Sequence, residues 1–177
     1  SLTTSQAAAL TGDLAGVMST AQVVAMKTAA LASLNTAAVN ALTTSAVAKL
    51  TTQQVSSLGT NQIAALSVDQ AMNLTTDQVV ALTTAQVTAV TSDQLASLTT
   101  AQVAAMETRD MAALTTAQIG KFTETQVSAL TSAQVKAITT ADVLKLSDAQ
   151  LQAISTSGVA AMTTDQLANI GSTQIGK

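Results

Sequence analysis

The sequence predicts an all-α fold, a solenoid or superhelix of very short capped helices with one helix per eight residues. Three observations point there. Laid out in eights from Thr3, the 177-residue chain keeps one frame without insertion or deletion. It holds 21 complete octads (3–170) and a partial one (171–177), with Ser1 and Leu2 left before the first. The consensus is T-T-x-Q-V-x-A-L, and 75–106 reads TTDQVVAL TTAQVTAV TSDQLASL TTAQVAAM. Position one is Thr, Ser or Asn in 18 of 22 copies and position four is Gln in 15 of 22, the spacing of a capping box. Position five is apolar in all 22 copies and position eight in all 21 complete ones. Three apart, those two share one helical face.

In a capping box the position-one hydroxyl accepts from the backbone N–H three residues on, and the Gln side chain reaches back to the N–H of residue one. Position one is therefore an N-cap, and positions two to eight form a helix of at most about two turns. Ala at seven and small residues at six let the next segment approach closely. A helix this short is unstable alone, so positions five and eight must be buried against neighbouring octads. The expected product is a continuous apolar column with Thr, Gln and Ser outside, its stability summed over nearest neighbours and its folding fast because contacts are local.

Two other readings compete. In one continuous helix the apolar positions advance about 80° per octad, so the stripe spirals and faces no single partner; the 18 Thr, Ser or Asn residues would also sit where each prefers to cap. A β-solenoid draws on the abundant Thr and Val. However, positions five and eight have opposite parity and would face opposite sides of a strand. Ala is a poor strand former, and seven Gly with no Pro are few for the corners of such a coil.

Along the chain, 3–58 follows the consensus least well. Position four is Leu14, Ala30, Ala38 and Ala46 there, so the reciprocal half of the box is missing. From Thr51 onward Gln is nearly constant, with Asp110, Asp142 and Gly158 the departures. Position five is mostly Val, with Ala at Ala7, Ala15 and Ala71. Lys27 and Glu107 stand at position one without a capping side chain, which predicts that neighbouring octads fuse into longer helices over 20–34 and 100–114. Gly59 and Gly171 still cap, more weakly. No linker or composition shift divides 1–177, hence one domain. The frame begins and ends within an octad, and the expectation is a piece of a longer array or a subunit completed end to end by its neighbours.

Composition narrows function mostly by exclusion. Hydrophobic residues make up 47%, but aromatics only 1%, with Phe122 alone, and charged residues only 10%. There is no Cys, so neither disulfide nor thiolate metal site. The net charge is −3 with seven scattered basic residues, without the basic stripe and stacking aromatics that nucleic-acid binding wants. Polar residues interrupt the apolar ones every few positions, so no run approaches the roughly 18–20 residues of a membrane span. Residues 1–20 lack the basic start and apolar middle of a signal peptide.

The runs LTTAQVAAM (98–106) and TTDQVVALTTAQV (75–87) resemble octapeptide arrays in very large secreted bacterial surface proteins, adhesin-like exoproteins of which some are labelled haem-utilisation proteins. The resemblance covers the whole chain as a pattern and implies an extracellular stalk, spacer or fibre. Haem iron is held by His, Cys, Tyr or Met, and only six Met are present. Met18, Met26, Met106 and Met162 fall at position eight, Met111 at five and Met72 at six, so core filling is the reading and no cofactor is expected.

The remaining candidates each have a plain structural explanation. Without His or Cys there is no Ser–His or Cys–His nucleophile, and the hydroxyls cap helices. Glu107 and Asp110 are a possible acid–base pair, but Arg109 between them favours a solvated, charge-balanced face. Asp13, Asp69, Asp77, Asp93 and Asp165 all occupy position three, in a first helical turn where the dipole favours a negative charge. A calcium ladder is the sharper reading, yet only Asp69 and Asp77 are in adjacent octads. Gly-Lys at 120–121 and 176–177 lacks a phosphate loop's preceding glycine, and Lys121 is read as helix-end chemistry. The expectation is a non-catalytic extracellular repeat protein without metal, nucleic acid or membrane insertion, partnered by neighbouring repeats or its own kind. The alternative is a ligand-binding face, for ice or glycan, made from the position-two Thr found in 15 of 22 copies; it requires successive position-two residues to fall on one side of the solenoid.

Overall fold

The computed structural model describes residues 2–170. Among these, 21 helices of four to six residues follow one another and there is no strand, from α1 (Thr4–Ala8) and α2 (Gly12–Gly16) to α20 (Thr156–Ala161) and α21 (Thr164–Asn169). Each begins immediately after position one of its octad. The cap residue is extended, as at Thr75 (φ −74, ψ 160), and its hydroxyl accepts from the N–H three residues on. Gln at position four closes the box by accepting at Oε1 from the cap residue's own N–H, at 2.8 Å from Thr75 to Gln78. The octad is thus the helix unit, as its box and apolar spacing require.

The stacking period is three. α1 packs on α4 (Thr28–Ala32), α2 on α5 (Thr36–Ala41), and each later helix on the one three further, ending with α18 (Thr140–Val143) on α21. One superhelical turn is therefore three octads of eight residues, and the first to seventh turns are 3–26, 27–50, 51–74, 75–98, 99–122, 123–146 and 147–170. Successive octads form three sides joined at corners, where position eight of one meets position one of the next. Positions five and eight fill the interior as one cluster running from Ala7 to Met162, with Phe122 inside it and Met111 fully enclosed. Where Ala71 replaces the usual Val, a cavity of about 20 Å³ remains among Ile63, Val79, Leu82 and Val90. Tight stacking shows most where α2 lies on α5. A Cβ at Gly12 would stand 3.3 Å from the Ala37 carbonyl oxygen, and one at Gly16 as close to that of Ala41.

Two expectations fail. Glutamine is not outside the column: from residue 30 on position four is buried in every described octad, and Gln78 is 2% exposed. Nor do the octads fuse at Lys27 and Glu107. α3 (Thr20–Val24) stops before α4, and α13 (Thr100–Ala105) stops before α14 (Thr108–Ala113), with both junction residues extended and without a side-chain cap. The breaks are held from the turn above. Gln54 Nε2 donates to the carbonyls of Val24 (3.0 Å) and Met26 (2.9 Å), and Gln134 Nε2 to those of Val103 and Met106 (both 2.8 Å). These bonds hold the corner carbonyls in the extended bend, so tertiary packing stands in for the absent cap.

Candidate functional site

The most specific chemical arrangement in the molecule is the amide at each corner. Gln78 shows all of it. Oε1 takes the Thr75 N–H, while Nε2 donates to the carbonyls of Val47 (2.9 Å) and Leu50 (2.7 Å), 31 and 28 residues earlier. One buried amide therefore uses its acceptor and both donors, which is what permits its burial. This corner rung recurs at every position four from Gln54 to Gln102, then at Gln118, Gln126, Gln134, Gln150 and Gln166. Among the described residues no buried side-chain nitrogen or oxygen lacks a hydrogen-bond partner. The sequence did carry a signal for the rung. A capping box accepts Glu as readily as Gln, yet no octad has Glu at position four. An ionised Glu could close the box, but it has no hydrogen to donate below and would be costly to bury.

The rung is distributed unevenly. Between the first and second turns Ala30 and Ala46 cannot make it, and the single link comes from position one. There Asn35 Oδ1 caps the Ala38 N–H (2.8 Å) while Nδ2 donates to the Leu10 carbonyl (2.6 Å). In the third turn Gln54 reaches Val24 and Met26 at the end of the first turn while Gln62 and Gln70 reach the second, and in the fourth Gln78 reaches Val47 and Leu50 at the end of the second turn while Gln86 and Gln94 reach the third. Each of the fifth to seventh turns carries two glutamine rungs, because Asp110, Asp142 and Gly158 fill the remaining corner.

The other candidate residues are dispersed. Asp110 is 1% exposed, which corrects the solvated-face reading. It accepts from Thr84 Oγ1 (2.7 Å), and Arg109 Nε stands 3.7 Å away while Arg109 Nη2 pairs with Glu107 at 2.7 Å. Position four is buried by the turn below whatever residue fills it. The position-three aspartates are all exposed; Asp69, Asp93 and Asp165 share one side, and Asp13 and Asp77 fall on the other two. Among the described residues no three acidic groups gather where a metal ion would fit. Gly120 is the C-cap residue of α15 (Thr116–Ile119), and Lys121 beyond it is exposed. Gly171, Ile175 and Gly176-Lys177 lie outside the described residues.

Position two does not fall on a single side, since consecutive octads face three ways. Every third octad does align, and the longest file is Thr4, Thr28, Thr52, Thr76 and Thr100, with Thr36, Thr60, Thr84 and Thr108 on the next side, at a helix-to-helix spacing of about 8–10 Å. Two position-two residues on that next side are engaged between turns: Thr84 donates to Asp110, and Ser132 Oγ to the Ser157 carbonyl at 3.1 Å. No helix among the described residues is long and apolar enough to cross a membrane.

A family model described as ALTTAQ repeat matches three stretches of the chain, residues 15–52, 103–140 and 135–172. No curated protein matches, and no solved structure does.

Proposed function

We propose that this chain, which belongs to the ALTTAQ repeat family, is a non-catalytic structural rod. It would act as an extracellular spacer or fibre-forming segment of a bacterial surface protein. The observation carrying this reading is the corner amide, because the buried polar chemistry joins one turn to the next. Position three, by contrast, is exposed in every described octad and varies from Ala to Asp, Asn, Ser, Gln, Thr and Arg. A rod requires a period and a core, and makes no demand on particular surface groups. The bacterial surface setting draws on the resemblance of 75–106 to arrays in secreted exoproteins, and the expected neighbours are further repeats of the same kind, in the same chain or stacked end to end.

Light scattering behind size exclusion across a concentration series, with negative-stain imaging of the same fractions, tests the reading. Seven turns at about 8–10 Å each give a described body about 60 Å long. Discrete rods support a spacer and unbranched fibres an end-to-end subunit, whereas irregular aggregates at all concentrations sink both.

A second reading, a ligand-binding face for ice or glycan, is favoured by the file of Thr4, Thr28, Thr52, Thr76 and Thr100. Replacing Thr52, Thr76 and Thr100 together by Val leaves a rod's assembly intact and abolishes ice shaping or glycan retention if that face is the working one.

A further inference from the structure

We infer that the chain pairs side by side with an antiparallel second copy of itself, through the side made by α3, α6 (Thr44–Ala48), α9 (Val68–Met72), α12 (Ser92–Ser97), α15, α18 and α21. Position seven sets this side apart. From the second turn on, it is a half-buried Ala or Ser on the other two sides. Here it is exposed at Lys49, Asn73, Lys121, Lys145 and Asn169. Long polar side chains therefore stand clear of the stack, on the same face as the exposed Asp69, Asp93 and Asp165 at position three. Among the described residues none of these six charges makes an ion pair within its own chain.

The order of the charges points to the partner. From the second turn to the seventh this side presents Lys49, Asp69, Asp93, Lys121, Lys145 and Asp165, one to a turn. Taken in reverse, the series has the opposite sign at every step. A copy turned about a twofold axis between the fourth and fifth turns sets Lys49 against Asp165, Asp69 against Lys145 and Asp93 against Lys121. Each pair forms twice, as in any isologous contact, and no like charges face each other. A twofold lying across the rods keeps the helix direction, so position six meets position six. Leu144 then falls opposite Met72, with Val68 beside it. Val68 and Met72 are 44% exposed and Leu144 46%, and of the large apolar side chains exposed between the first and last turns only Val80 lies on another side. A lysine at position seven leans toward its helix N-terminus, which helps it cover the roughly 6 Å back to a carboxylate at position three. The other two sides lack this pattern: Asp77, Glu124 and Asp148 on one are all negative, and Asp13, Arg109 and Lys136 on the other leave one charge unmatched.

Six stacked helices give a contact of about 500 Å² on each copy, at the small end of specific interfaces, so the pairing is concentration-dependent and screened by salt. The test is sedimentation of the full chain, with imaging of the same samples. The expected product is a dimer of doubled mass and unchanged rod length, whose dissociation constant rises about tenfold or more between about 0.05 and about 0.5 M salt. Asp69→Lys with Asp93→Lys sets positive against positive, and Lys121→Asp with Lys145→Asp sets negative against negative. All four side chains are exposed, so both variants keep the parent's circular dichroism. Each should be monomeric alone, and their equimolar mixture should regain the dimer. A Met72→Cys chain mixed with a Leu144→Cys chain should join 72 to 144 on air oxidation, there being no other Cys. A parent chain that stays monomeric at low salt overturns the inference; so do variants that dimerise alone, a mixture that stays monomeric, or disulfides linking 72 to 72. Discrete monomeric rods overturn the pairing and leave the spacer reading standing, so the two fail separately.

Discussion

Residues 27–98 and residues 3–26 are built from the same octad and differ in how one turn is tied to the next. In the first region each octad from 51 to 98 has a glutamine whose amide serves its own helix and carbonyls 28 to 31 residues earlier. In the second, Gln6 and Gln22 close their boxes in the same way (2.9 and 2.8 Å from the cap N–H) but stand exposed. The comparison separates two roles that a capping motif alone confounds. Closing the box needs only Gln at position four, whereas cohesion between turns also needs carbonyls of an earlier octad within reach of its Nε2. The same side chain is thus worth far more in one place than in the other.

That difference is open to direct measurement. Gln86→Glu places a carboxylate, without a donor for the Val55 and Leu58 carbonyls, at a site 2% exposed. At neutral pH it should cost about 3 kcal/mol or more, read from urea melts followed by circular dichroism. Gln86→Ala should cost about 2 kcal/mol, since it removes the donor shared by the Val55 and Leu58 carbonyls. Gln22→Ala, losing a box bond in water, should cost under about 1 kcal/mol; equal losses at the two sites would break the comparison. Asp142→Gln supplies a rung to a corner that lacks one and should gain about 1 kcal/mol. Asp110→Gln should gain less, because Asp110 already holds Thr84 and Arg109. Lys27→Thr gives the fourth octad an N-cap and should add about 0.5–1 kcal/mol, seen as a higher urea midpoint at unchanged slope. The smallest change is expected from Ala71→Val. Filling the cavity beside Val79 and Leu82 should raise stability by about 0.5 kcal/mol, and a loss would mean that the site is already full.

Much of the architecture was legible because it is local. Thr75 and Gln78 announce a helix start, and Val79 and Leu82 announce its buried face, all within eight residues. The stacking period was not legible, because nothing inside one octad says whether its partner is two, three or four octads away. For the same reason Gln78 was placed outside. Its box bond spans three residues and can be read from sequence, whereas its other bonds span 28 and 31. Lys27 and Glu107 misled in the same direction, since the missing local cap was visible and the distant Gln54 and Gln134 that hold those corners open were not. The candidate chemistry was legible chiefly as absence, and burial of Asp110 could be seen only once the turn below was in place.

The fixed reach of the corner amide also bears on how such an array can change length over generations. Each octad presents the same carbonyls above and the same amide below, so a rung does not depend on which copy supplies its other half. Removing or duplicating one octad re-pairs only the next few corners, those whose 28- to 31-residue reach crosses the change, and leaves later ones with their own partners, while the body grows or shrinks by a third of a turn. A change of any number of residues that is not a multiple of eight misplaces every amide whose reach crosses it. Copy number is therefore free to drift in single octads while the frame is not, and a sequence that recombines within its own repeats can alter its reach without passing through an unfolded intermediate form.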